Sequence, residues 1–232
     1  MQQSNSISIF DSRKEERLNS GIGDQISARR YNAVMLLTLV WGFLVNAAMV
    51  EYLSIPVMRL FSGVSPLWIF VGYFVLAIAG IFISARSTNP WISFLGYNLL
   101  VLPIGVMLCF ILPGFPVEIV TKALLLTGIV TATMTLMGLI RPQIFLGLGR
   151  TLFIALLVGI VAELVATFLL HYTGSAFDWL FVILFSAYIG YDVARSQVYP
   201  KTVDNAVDCA LDIYLDIINI FIRLLALLSR RN

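Results

Sequence analysis

What most constrains this chain is a succession of apolar runs, each long enough to cross a membrane and separated from the next by a short connection. Seven such runs follow one another: roughly Ala33 to Leu53, Pro66 to Ala85, Trp91 to Leu112, Glu118 to Ile140, Thr151 to Tyr172, Phe177 to Tyr191 or beyond, and Val203 to Leu228. About 20 helical residues cross a hydrocarbon core of ~30 Å, and the sixth run needs its polar extension toward Tyr199 to do so comfortably. A backbone in lipid must satisfy its own hydrogen bonds, and the alternating pattern of a β-barrel is absent, so each run is read as a helix. The expected fold is an all-α membrane protein of seven transmembrane helices over residues 33–232, preceded by a polar cytoplasmic tail over residues 1–32. Turn-forming stretches fall between runs: "STNP" at Ser87 to Pro90, "PGFP" at Pro113 to Pro116 and "RPQ" at Arg141 to Gln143.

Charge places the ends. The chain is 59% hydrophobic and only 12% charged, against about 25% charged in ordinary globular domains. Its net charge of +2 resides mostly in the tail and loops, with no basic run of the kind that binds nucleic acid. With the tail inside, Arg86, Arg141, Arg150, Arg195 and Lys201 all fall on the inner side, while the outer loops carry little beyond Arg59. That asymmetry argues for an inside N-terminus, although Arg230 and Arg231 at the outer end pull weakly the other way. The first run is too long for a cleaved signal peptide. Short loops point to a bacterial inner membrane. Trp68, Trp91 and Trp179 sit near span ends, where indoles anchor at the interface. Cys109 and Cys209 lie in apolar segments without metal-ligand spacing and are expected to be buried thiols.

The last run, "DNAVDCALDIYLDIINIFIR", breaks the apolar rule. On a helical wheel Asn205, Asp208, Asp212, Asp216, Asn219 and Arg223 fall within an arc of roughly 80°. Facing lipid, three aspartates and an arginine would cost on the order of 10 kcal/mol on the insertion scale. The stripe must face the bundle interior, which makes the seventh helix a central, polar-striped one. For Asp208 and Arg223 the ordinary expectation is solvation near the inner end and snorkelling outward, respectively. Asp212 and Asp216 lie too deep for either escape.

The sixth run brings one more carboxylate in "SAYIGYDVARSQ", Asp192. Runs six and seven form an antiparallel hairpin, so Asp192 meets the acidic stripe. Equal rise on both arms sets it level with about Leu211 or Asp212, and a slide of about one turn reaches Asp216. Two carboxylates in a low-dielectric site cannot both ionise cheaply, so one is expected to hold a proton at neutral pH.

The pair "YD" at Tyr191 and Asp192, followed by "ALDIYLDIINIFIRLLALL" from Ala210 to Leu228, resembles the signature of the Bax inhibitor-1 family of seven-helix membrane proteins. The likeness is specific in the last helix and general over the first five runs. It implies a pH-sensitive calcium leak governed by a diaspartyl proton sensor, here Asp192 and Asp216, which would also be the oxygen ligands of a passing calcium ion. It implies further that an arginine at the end of the second helix, here Arg86, locks the closed state. Asp212, Asp208 and Asn219 on the same stripe are the expected lining of the cation path. The implied partners are the bilayer, calcium and protons, with no cofactor and no catalysis. A second implied role is that of a non-transporting regulator, binding a membrane-anchored protease through the N-terminal tail.

Two adjacent intramembrane aspartates also suit an intramembrane aspartyl protease, but "IYLD" departs from the "GxGD" of such enzymes and no "PAL" follows. No lysine occurs between Val203 and Leu228 for a retinal linkage, and there is no Walker motif. Glu51 and Glu163 are further carboxylates within the runs. Scattered methionines, the glycines at 128, 138, 147, 149 and 159, and the threonines between Thr121 and Met137 are expected to pack, to allow close helix contacts or turns, and to bond back to their own helices.

Overall fold

The computed structural model describes residues 25–172 and 174–230, so the expectations for the tail before residue 25 and for Arg231 lie outside the described residues. The chain is helical throughout: α1 (Ala28–Ala48) runs through a π-helical turn (Met49–Leu53) into α2 (Ser54–Leu60). There follow α3 (Pro66–Arg86), α4 (Pro90–Ile111), α5 (Val117–Ile140), the short α6 (Pro142–Leu146), α7 (Gly149–Leu169), α8 (Ala176–Val198) and α9 (Val203–Ser229). No strand occurs among the described residues.

Local chemistry sets the ends. Ser27, Asn89 and Thr202 cap α1, α4 and α9 by accepting from the backbone N–H groups of Arg30, Trp91 and Asn205 at 3.3, 2.9 and 3.1 Å. Proline opens α3, α4 and α6, where its missing N–H has no helical partner to lose. The Ser27 cap starts the first span at Ala28, ahead of the expected Ala33, and the π-helical turn carries it on to Leu60.

Six helices are long and apolar enough to cross a membrane: Ala28–Leu60, α3, α4, α5, α7 and α8. The helix α9 is longer than most of them, at 27 residues, but its aspartates and Arg223 set it apart in composition. It is the hub of the bundle, packed against α1, α4, α5 and α8 and touching α3. Asp208, Leu211, Tyr214, Ile220 and Leu225 of α9 are among the most completely buried side chains. The expectation of a central helix holds.

Around this hub, α4 and α8 bury half and 44% of their spans, whereas the outer helices bury 17–22%. The rest presents Leu37, Phe74, Leu125, Ile129 and Phe168 outward, the large apolar surface a bilayer would cover. Trp68, Trp91 and Trp179 are exposed near helix ends, as interface anchors require. The backbones of α3 and α4 touch at Gly80 and Gly96, where a Cβ on Gly80 would meet the Gly96 carbonyl oxygen at 2.5 Å. Gly138 makes the same kind of approach to Gly190 across α5 and α8, while Gly128 and Gly147 face open space. Both cysteines are buried and unbridged. The hydroxyls of Thr121, Thr127 and Thr133 bond back to carbonyls one turn earlier.

Candidate functional site

The α8–α9 hairpin gathers the buried carboxylates. Its connection is extended at Tyr199 and Thr202, which carries the chain past the end of α8 before α9 begins. The facing residues therefore slide by about a turn relative to an equal-rise hairpin. In this register Arg195 stands opposite Asp212, and Asp216, one turn further along α9, is buried beside Asp192. Arg195 Nη2 donates to Asp192 Oδ1 at 2.7 Å, one turn back on its own helix, and to Asp212 Oδ2 at 2.7 Å across the hairpin. Its guanidinium also lies over the rings of Tyr191 and Tyr199, at 5.0 and 5.8 Å from their centroids. Asp192 and Asp216 are each only 5% exposed.

Two further aspartates line the N-terminal half of α9. Ser84 of α3 donates to Asp208 Oδ1, and Ser93 of α4 donates to Asp204 Oδ1 at 2.6 Å. Asp208 is 1% exposed, so it is not the solvated end residue its position suggested. The Gly80–Gly96 contact explains why, since it draws α3 and α4 together and sets Ser84 against α9. Asn219 instead donates to the Leu215 carbonyl of its own helix at 2.8 Å.

The arginine brought to the aspartates is Arg195. Arg86, the residue expected to lock them, is exposed at the end of α3 with its guanidinium 5.7 Å from the Phe82 ring.

A second ionic group sits nearer the other end of α9. Arg223 grips Glu163 of α7 with both guanidinium nitrogens, Nη2 donating to Oε2 at 2.7 Å, and reaches Asp178 Oδ1 of α8 at 3.0 Å. Arg230 approaches the other Asp178 oxygen at 3.3 Å, and the Phe181 ring lies 4.5 Å beneath the Arg223 guanidinium. Arg223 is thus held between α7 and α8, not extended outward. Sequence reasoning missed Asp178 as a partner. Its available signal was an acid in the first turn of the helix, just ahead of the apolar stretch Trp179 to Phe185.

Among the described residues no group of three or more histidine, cysteine, aspartate or glutamate side chains is arranged to hold a metal ion. The Asp192 and Asp212 oxygens face a guanidinium instead.

Residues 28–232, from the first helix to the last residue, match the sequence profile of the family described as inhibitor of apoptosis-promoting Bax1. The chain belongs to the Bax inhibitor-1 family. Curated relatives of this family member include an uncharacterized protein of Helicobacter pylori, 34% identical over 115 residues, 47% of each chain. An uncharacterized protein of Campylobacter jejuni is 30% identical over 115 residues, 49% of each chain. The chain spans about half the length of the curated relatives it matches. Family membership and six apolar helices make it a multi-pass integral membrane protein.

Proposed function

We propose that this Bax inhibitor-1 family member is a proton-gated cation pathway that carries calcium, with Asp192 and Asp216 as its sensor. The observation that carries the reading is the burial of both carboxyls side by side in the bundle, beside Asp212 and one shared guanidinium. Neighbouring buried carboxyls favour holding a proton between them, because two like charges repel strongly in a low dielectric. Loss of the proton separates the pair and frees hard oxygen ligands of the kind calcium prefers. Arg195 takes the role expected of Arg86: as a tethered cation it competes with the passing ion for Asp192 and Asp212. Asp208 continues the path toward the inner end of α9, and Asn219 continues it outward.

In this reading α9 is the seventh span. Its polar face is covered by α3, α4 and α8, so its charges do not meet acyl chains. The N-terminus is cytoplasmic and the membrane is the bacterial inner membrane, in keeping with bacterial relatives and with Arg86, Arg141, Arg150 and Arg195 at ends that share one side under alternating topology.

Calcium flux into proteoliposomes across a pH series tests the reading. The wild-type flux should titrate with pH, and Asp216→Asn should flatten the curve. An unchanged profile in that variant removes the pair from the mechanism.

A further inference from the structure

The α8–α9 hairpin is gripped from outside by the first residues of the described chain. The Ile26 backbone N–H donates to the Lys201 carbonyl at 2.7 Å, and the Gln197 side-chain amide donates to Asn32 Oδ1 at 3.3 Å. Between these contacts Tyr31 is fully buried, its hydroxyl donating to Cys209 Sγ of α9 at 3.3 Å. Its ring face lies 4.5 Å from the Lys201 ammonium, a cation–π contact. That ammonium donates to the Ser196 carbonyl at 2.9 Å, so Lys201 caps the last turn of α8 while held against Tyr31.

These contacts converge on the last turn of α8, which carries Arg195. Ser196 follows Arg195 directly, Gln197 bonds the Ser196 hydroxyl at 3.0 Å, and the Tyr199 ring lies against the Arg195 guanidinium. Cys209 on the α9 side is less than one turn from Asp212. A segment that touches both arms just beyond the ion pair fixes how far apart the arms stand.

We infer that Ile26 to Asn32 form a regulatory strap that sets the spacing of the hairpin, with Tyr31 and Lys201 as positioning residues for the Arg195 bridge. The regulatory consequence rests on the proposed function; the mechanical coupling does not. Burial pushes the Lys201 ammonium below its ordinary lysine value, with Cys209 acting in the opposite direction. The titratable groups facing the strap and the bridge are Tyr31, Lys201 and Cys209, then Tyr188, Tyr191, Tyr199, Asp192, Asp212 and Asp216.

The test uses the full chain in proteoliposomes with two readouts: the infrared titration of the buried carboxyl groups, and calcium flux against pH. Tyr31→Phe removes the hydroxyl and keeps the ring. The double variant Ile26→Cys with Lys201→Cys, oxidised and then reduced, closes and reopens the strap covalently. Tyr97→Phe, which removes a different buried tyrosine bond to the Thr38 carbonyl, is the packing control. The expected result is a carboxyl titration displaced by about half a pH unit or more in Tyr31→Phe, unmoved in Tyr97→Phe, and switched between two positions by oxidation and reduction of the double variant. Identical titrations in Tyr31→Phe and in both redox forms overturn the strap. Should wild-type liposomes carry no calcium, the functional reading fails while the infrared titration still decides the strap.

Discussion

Two ionic groups share the helix α9, and they differ in their charge balance. Near the C-terminal end, Arg223 and Arg230 face Glu163 and Asp178, so each formal charge is matched. Toward the N-terminal end, Arg195 is, among the described residues, the one guanidinium facing Asp192, Asp212 and the neighbouring Asp216. The two sites lie only about 10 Å apart along the helix axis. A matched group is satisfied as it stands and gains nothing by exchanging ions. An acid-rich group in a low dielectric must take up protons or cations to be tolerable. The Arg223 group joins α7, α8 and α9 as a clamp, and under the proposed function the Arg195 group is the seat of exchange.

The largest expected effect falls on the clamp. Arg223→Leu leaves Glu163 and Asp178 without their shared partner, and losing half-buried hydrogen bonds to charged groups costs about 1.5–3 kcal/mol. Thermal unfolding in detergent should report that loss, with the pH profile of calcium flux unchanged in the protein that remains folded. A shifted profile would mean that the Arg223 group also takes part in gating. Arg195→Gln should do the reverse. Protons can replace the missing guanidinium, so stability falls less, while the flux curve moves to higher pH by about one unit or more. Arg86→Gln is the smallest perturbation, expected within about 0.5 kcal/mol and with an unmoved flux curve, because the guanidinium is exposed against Phe82. A displaced curve in Arg86→Gln would return the lock to α3.

The features legible in the sequence are those set by local periodicity. Runs of spanning length and the central position of α9 follow from helical geometry and the cost of charge in lipid, whereas that geometry left Asp212 and Asp216 both open as the partner of Asp192 and only the family resemblance singled out Asp216. Features that depend on tertiary register were harder to read. Arg195 resembles any basic residue at the end of a span, and only the extended connection at Tyr199 and Thr202 brings Asp212 opposite it. Its spacing of three from Asp192 was the available clue. The partners of Asp208 and Asp204 are serines from α3 and α4, which reach α9 because two glycines let those backbones touch. Arg223 reads as a snorkelling residue until α7 and α8 are packed beside it.

The central claim is that Asp192 and Asp216 hold one proton between them. Infrared titration of the protonated carboxyl band in the reconstituted wild type, set against Asp216→Asn and Asp192→Asn, tests it most directly. The account predicts two separated protonation steps for the pair, merging into a single displaced step when either member is an amide. Two overlapping steps in the ordinary aspartate range, each unaffected by removal of the other residue, would contradict it.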